Sequence, residues 1–134
     1  MIDKHSIEVF TAALCCWRED RGGSNAERTA QLCCVRNRVK AHWAPESTYQ
    51  DVVFQPWQFS AMTAKGDPNL VKFPKSDDPL WNLILQLADE VVSDQIEDTT
   101  GGAVFYFSAP ITEPPHAWGN VTKTADIGAL HFFK

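Results

Sequence analysis

The sequence predicts an α+β domain in which helices come first and a small antiparallel sheet closes the chain. Two observations carry this reading. Up to about Ser93, apolar residues recur at three- or four-residue spacing in separate segments, the signature of amphipathic helices. After Gly101-Gly102 the period changes to a run of aromatic and β-branched residues, Ala103-Val104-Phe105-Tyr106-Phe107. Size and composition agree: the 134 residues are 44% hydrophobic and 22% charged, ordinary for a globular chain. At this length about two thirds of the unfolded surface can be buried without a disulfide or metal. Residues 1–134 read as one domain, with no internal repeat or linker.

The first helix is expected from Ser6 to Arg18, where Ile7, Phe10, Leu14 and Trp17 form a stripe and Asp3 or Ser6 supplies the cap. Arg21-Gly22-Gly23 should end it through a left-handed exit. Ser24-Asn25-Ala26-Glu27 reads as a capping box, opening a second helix to about His42 with Ala30, Cys33 or Cys34, Val35 and Val39 inward. The short connection predicts an αα-hairpin. Pro45 breaks the chain, and a short helix follows over Tyr49 to Phe54, stopped by Pro56. Gln58 to Pro79, broken by Gly66, Pro68 and Pro74, reads as a long irregular loop of the kind that often carries function. Asp77-Asp78-Pro79 starts a third strong helix to about Ser93, with Leu80, Leu83, Ile84, Leu87, Ala88, Val91 and Val92 inward. Strands are expected at Ala103–Phe107 and Ala129–Phe133.

Several functions are disfavoured. Twelve basic against seventeen acidic residues give a net charge of −5, so neither a nucleic-acid-binding field nor a polybasic membrane patch is present. No window of eighteen apolar residues exists for membrane insertion. The N-terminal Met1-Ile2-Asp3-Lys4-His5-Ser6 lacks a secretory leader pattern, so synthesis in the cytoplasm is expected. Cys15-Cys16 and Cys33-Cys34 lack zinc-site spacing and read as small buried residues at a helix contact. No metal-ligand cluster or phosphate loop is visible, and no cofactor is expected.

Glu19 is the residue with chemical promise. It sits at a helix C-terminus beside Trp17, where the helix dipole and desolvation both favour the protonated carboxyl that a general acid needs. By local physics alone, a solvated charge paired with Arg18 or Arg21 is the simpler account. Asp20 and Asp51 are remoter carboxylates, and His116 and His131 have a minor place. Trp57 and Trp118 lie in proline-flanked irregular segments, while Gln58, Ser60 and Thr63 add amide and hydroxyl groups. Aromatic faces with neutral polar groups suit a sugar better than a phosphate.

Trp17-Arg18-Glu19-Asp20-Arg21-Gly22 resembles the W-G-E-A-R-G run of the SleB-like cell wall hydrolases, the family of the spore cortex-lytic enzymes. Asn37-Arg38-Val39 is similar to its N-R-V. Val52-Val53 and Gln55 through Ser60 resemble its V-I-x-Q and Q-F-S elements. Thr100-Gly101-Gly102-Ala103 into Phe105-Tyr106, then Trp118, then Gly128 through Phe133, follow in the family's order. The departures are Arg18 for glycine, Asp20 for alanine and Gly23 for a second glutamate.

The resemblance implies a lysozyme-like, lytic-transglycosylase-like fold that cleaves the peptidoglycan glycan strand between N-acetylmuramic acid and N-acetylglucosamine. Glu19 falls on the family's catalytic glutamate, as general acid of a lytic transglycosylase or muramidase. Gln58, Phe59 and Ser60 are expected to line the cleft, Tyr106 to hydrogen-bond near Glu19, and Tyr106, Trp57 and Trp118 to bind substrate. A monomer acting on the cell wall is expected, either a phage endolysin released by a holin or an effector delivered by a secretion machine. The alternative is a noncatalytic glycan-binding module in which Arg18 and Asp20 displace the acid.

Overall fold

Asp3 starts the first helix: its carboxylate accepts a 2.7 Å hydrogen bond from the Ser6 amide, and α1 runs Lys4–Asp20. The computed structural model describes residues 2–44 and 46–134. The expected break at Pro45 lies outside the described residues.

Helix α1 is more deeply placed than a single apolar stripe predicts. Every residue from Thr11 to Arg18 is buried, whereas Phe10 is 50% exposed. Its second half is surrounded rather than laid on a surface, packing against α2 (Asn25–Lys40), α3 (Tyr49–Val53), α4 (Ser60–Thr63) and α5 (Pro79–Val92). The adjacent cysteines follow from this setting. Neighbours on a helix point about 100° apart, so a pair can be buried only where two directions are both interior. Cys33 joins the main core around α1, while Cys34 joins a second cluster with Ala30, Ala103, Leu130 and Phe132 under the sheet. All four thiols are free and buried.

The exit from α1 differs from the expectation. Arg21 stays in the right-handed helical region, and neither Gly22 nor Gly23 takes a positive φ. Gly23 is needed for close approach instead: a Cβ there would stand 2.5 Å from the Asp20 Oδ1. The capping box of α2 forms as read, with Ser24 Oγ accepting from the Glu27 amide at 3.1 Å and the Glu27 carboxylate accepting from the Ser24 amide at 3.1 Å.

The segment expected to be wholly irregular contains α4 and a 3-10 turn, Pro68–Val71. Helix α5 starts at Pro79 with Asp78 as cap and buries Trp81, Ile84, Ala88 and Val91. The buried Arg36 of α2 closes its far end, donating to the carbonyls of Val91 (3.2 Å) and Ile96 (2.7 Å).

The sheet has three antiparallel strands, β1 (Phe105–Ser108), β2 (Lys123–Ile127) and β3 (Leu130–Phe133), in the order β1-β3-β2. Phe105 faces Phe133 and Ser108 faces Leu130 across the β1–β3 pair. The sequence reading missed β2. Its run Lys-Thr-Ala-Asp-Ile is polar and sits on an edge with no fully buried residue, so it shows little hydrophobic alternation. Gly128 makes the β2–β3 turn at φ +57, and a Cβ there would lie 2.6 Å from the Glu27 carboxyl carbon. The hairpin therefore rests directly on the capping box of α2. Among the described residues no helix is long and apolar enough to cross a membrane.

Phe132 lies at 0% exposure in the cluster between sheet and α2. Phe132→Ala is expected to cost about 3–5 kcal/mol, and Ser24→Ala about 1 kcal/mol through the lost cap. Urea unfolding of both variants measures these differences.

Candidate active site

Glu19 occupies the last turn of α1, and the two arginines beside it determine what covers it. Neither pairs with Glu19. Arg18 is buried and turned toward the chain after α4: its Nε donates to the Lys72 carbonyl at 3.1 Å, its Nη1 to the Ala61 carbonyl at 3.4 Å, and its guanidinium lies 4.8 Å from the Phe73 ring centroid. Arg21 stacks on Trp17 at 4.5 Å and donates from Nη2 to Asn69 Oδ1 at 2.7 Å. Residues 60–73 are thus fastened to α1 on both sides of Glu19. The displacement of the acid by Arg18, expected in the binding-module reading, does not occur.

This cover gives Glu19 its chemistry. Burial pushes its carboxyl up to about 7, helped by the negative charge of Asp67 and more weakly by that of Asp20. The backbone amide of Ala61 and the charge of Arg38 oppose the shift. The direction matches the sequence expectation; the second contributor, Asp67, was not foreseen. At neutral pH Glu19 is divided between its protonated and ionised forms.

Three side chains form the floor. Arg38 of α2 is buried, donates from Nε to the Val104 carbonyl at 2.6 Å, and lies against the rings of Trp43 (4.5 Å) and Phe59 (4.9 Å). Gln31 of α2 is fully buried and donates to the Cys15 sulfur at 3.7 Å. Tyr106 of β1 is packed on Phe132, with ring centroids 5.7 Å apart. Burial and the Glu19 charge push its hydroxyl well above the ordinary range, while the Gln31 side chain eases its ionisation. The Tyr106 hydroxyl is therefore neutral and feels the Glu19 charge, but no hydrogen bond joins the two among the described residues. Arg38 Nη1 and Gln31 Oε1 are buried without a hydrogen-bond partner among the described residues.

Of the other candidate residues, Ser60 is exposed at the start of α4 and donates to Asp67 Oδ2 at 2.8 Å. Gln58 is half-buried in the turn before α4. Trp57 is 95% exposed at φ +71 and, with Ser60, Thr63 and Lys65, lines an open groove of about 500 Å³. Two placements correct the sequence reading. Phe59 is buried and supports Arg38 from beneath instead of lining a cleft. Trp118 stacks on Phe105 (4.6 Å) and Phe107 (6.1 Å), and alternation along β1 puts that face opposite the one carrying Tyr106. His131 pairs with Asp126 at 2.6 Å, and His116 lies in the 3-10 turn ending at Trp118. Asp51 stays in the first turn of α3.

Asp20 is pushed up to about 6, chiefly by burial and then by the charge of Glu27, with Arg28 opposing. Its carboxylate fills the space that any side chain at position 23 would enter. Asp67 carries no direct signal in the sequence: the Gly66-Asp67-Pro68-Asn69 turn is legible there, but not its surroundings.

The model of the cell wall hydrolase family matches residues 25–133, a span that begins just after Glu19. The catalytic domain of the germination-specific lytic transglycosylase SleB from Bacillus anthracis has a similar structure, with a TM-score of 0.67 and 24% identity over 95% of this chain and 93% of that one. The catalytic domain of the Bacillus cereus SleB protein also gives a TM-score of 0.67, with 22% identity over 100% of this chain and 93% of that one. These likenesses show a common fold that includes α1. No curated protein sequence matches the chain.

The raised Glu19 carboxyl has a stability consequence with a definite sign. The folded chain holds this proton more tightly than the unfolded chain, whose carboxyl titrates near the ordinary 4.5. Stability is lost as pH rises from about 4.5 through about 7. Glu19→Gln should match wild type in stability at pH 4 and exceed it above pH 7 by on the order of 2 kcal/mol. Urea unfolding at the two pH values checks this.

Proposed function

The chain belongs to the cell wall hydrolase family, and we propose that it cleaves the peptidoglycan glycan strand between N-acetylmuramic acid and N-acetylglucosamine as a lytic transglycosylase. The observation that carries the reading is a half-buried glutamate at the end of α1, unpaired among the described residues, its carboxyl pushed up to about 7 by burial beneath a pinned loop.

In this reading Glu19 first acts as an acid. Its proton passes to the glycosidic oxygen as the bond from that oxygen to the muramic C1 breaks, and N-acetylglucosamine leaves with a free hydroxyl. Positive charge develops at C1 and the ring oxygen. The muramic C6 hydroxyl then attacks C1, and its proton returns to the Glu19 carboxylate as the O6–C1 bond forms. The product carries a 1,6-anhydro end and the acid is restored. One carboxyl group suffices because the substrate supplies its own nucleophile, unlike the two-carboxylate glycosidases. A muramidase would place a water at C1 instead, and the product mass separates the two.

Arg38 offsets the ionised form of Glu19 after proton transfer, and the neutral Tyr106 hydroxyl offers a donor nearby. The Trp57 indole offers an apolar face for a sugar ring along the groove, with the Ser60 and Thr63 hydroxyls on its lining.

Purified peptidoglycan digested with wild type should release fragments one water lighter than hydrolysis products. Glu19→Gln should keep the fold and lose about 10²- to 10⁴-fold in rate. Mass spectrometry of the soluble fragments with a turbidity assay measures both. Fragments with ordinary reducing ends would mean a muramidase, and lysis by Glu19→Gln at the wild-type rate would overturn the assignment to Glu19. Cleavage by wild type should decline as pH rises through about 7, where Glu19 loses its proton.

A further inference from the structure

Two tight turns bracket α4, and each presents one side chain to the same open groove. Residues 55–58 close through the Gln58 amide on the Gln55 carbonyl (3.3 Å), and residues 64–67 through the Asp67 amide on the Ala64 carbonyl (3.0 Å). In both turns the third residue has a positive φ, Trp57 at +71 and Gly66 at +95. Pro56 followed by a positive φ gives the first turn the type II pattern, whose third position calls for glycine. The groove, of about 500 Å³, is lined by Trp57 from the first turn, Lys65 from the second, and Ser60 and Thr63 from α4 between them.

Trp57 is disfavoured there on two counts. A bulky residue at positive φ is strained, and glycine would relieve it. The indole is 95% exposed, so the fold gains almost no burial from a side chain of this size. Neither the turn nor the packing calls for tryptophan; a ligand that covers the ring does. Lys65 is exposed and forms no ion pair among the described residues, whereas Lys4, Lys40 and Lys123 each meet a carboxylate. Asp67, two positions on, is engaged elsewhere: its oxygens accept from the Ser60 hydroxyl and the Asn69 amide, both at 2.8 Å. A bare aromatic face and a free ammonium on one groove match a ligand that is sugar on one side and carboxylate on the other.

We propose that this groove binds a muramic acid residue together with its stem peptide: Trp57 stacks on the sugar ring and Lys65 takes a peptide carboxylate, so that the protein selects strands that still carry their peptides. The inference rests on the glycan-cleaving reading given above. The chemistry of the strand narrows the choice of anion. Its sugars are neutral, and in an intact strand the lactyl carboxyl of muramic acid is tied up as an amide, so the carboxylates belong to the peptide. Helix α4 connects the groove to the acid. Its residues Ala61 and Met62 are buried, and Arg18, immediately before Glu19, donates from Nη1 to the Ala61 carbonyl (3.4 Å) and to the Met62 sulfur (3.5 Å). One short helix thus carries the groove on Ser60 and Thr63 and is fastened to the turn of Glu19 through Ala61 and Met62.

The test is isothermal titration calorimetry in the E19Q background, which suppresses turnover, with three soluble ligands. These are a peptide-bearing tetrasaccharide of alternating N-acetylglucosamine and N-acetylmuramic acid, the same tetrasaccharide stripped of peptide so that its lactyl carboxylates are free, and the neutral N-acetylglucosamine tetramer. K65A should weaken the peptide-bearing ligand about fivefold, as for an exposed ion pair, and leave the other two unchanged. K65R should keep the affinity. K75A, which removes an equal charge from an exposed position outside the groove lining, should bind all three as its parent does. W57G should weaken all three ligands and, because glycine relieves the turn, unfold at a higher urea concentration than its parent. Equal affinity of K65A and its parent for the peptide-bearing ligand overturns the proposal, as does a loss of the same size on the stripped or the neutral sugar. A W57G variant that binds as its parent does, or that unfolds earlier, also overturns it, since the tryptophan would then serve the fold. If wild type cleaves peptidoglycan and the K65A selectivity is absent, this proposal alone fails. If nothing is cleaved and the selectivity holds, the lytic reading alone fails and the groove stands as a binding site.

Discussion

Burial of the second half of α1 on all sides is the constraint on which the molecule depends. A helix whose residues from Thr11 to Arg18 are all buried cannot keep a polar outer face there, so the sequence must supply small or apolar side chains in every direction. Ala12, Ala13, Cys15 and Cys16 do this, and their size lets α2, α3, α4 and α5 approach from different sides. The same burial carries to the end of the helix, where Glu19 is the first carboxyl to meet it. A group that would be an ordinary surface charge one turn further out is desolvated here. The catalytic promise of Glu19 is thus a direct product of how the core is packed.

Arg18 shows how the cover over that carboxyl is kept. A buried guanidinium is costly unless its donors are satisfied. Here two of them meet the carbonyls of Ala61 and Lys72, and its plane lies on Phe73. These contacts tie residues 60–73 to the central helix. Arg21 repeats the device through Asn69. Two adjacent cations that look like partners for Glu19 in the sequence instead leave it unpaired, which preserves its proton. Arg38 approaches from beneath and limits how far the carboxyl rises.

The arrangement has a thermodynamic cost. A carboxyl whose proton is held by burial and by like charges destabilises the fold whenever it ionises. Asp20, pushed up by burial and by Glu27, adds to the same burden on the same turn. Such strain concentrates where chemistry needs a proton near neutrality, and the rest of the core has to offset it. The fully buried Phe132, Ile84 and Val35 supply apolar burial in the two core clusters.

Local patterns determined much of this protein by themselves. The caps at Asp3, Ser24 and Asp78, the helices they open and the strands β1 and β3 are set by short-range hydrogen bonding and periodicity, which neighbouring residues encode. The order of motifs around Glu19 likewise pointed to the family. What tertiary structure alone decided is which partners each charged side chain finds. Arg18 and Arg21 lie beside Glu19 in the chain and bond elsewhere, Phe59 is floor and not wall, and Trp118 packs on the far side of the sheet. Asp67, 48 positions beyond Glu19 in the sequence, acts on it most strongly of the charged groups. The edge strand β2 exists because β3 offers it a partner. The physical reason is common to all of these: electrostatics and pairing fall off with distance in space, and separation along the chain fixes that distance only within a turn or two of helix.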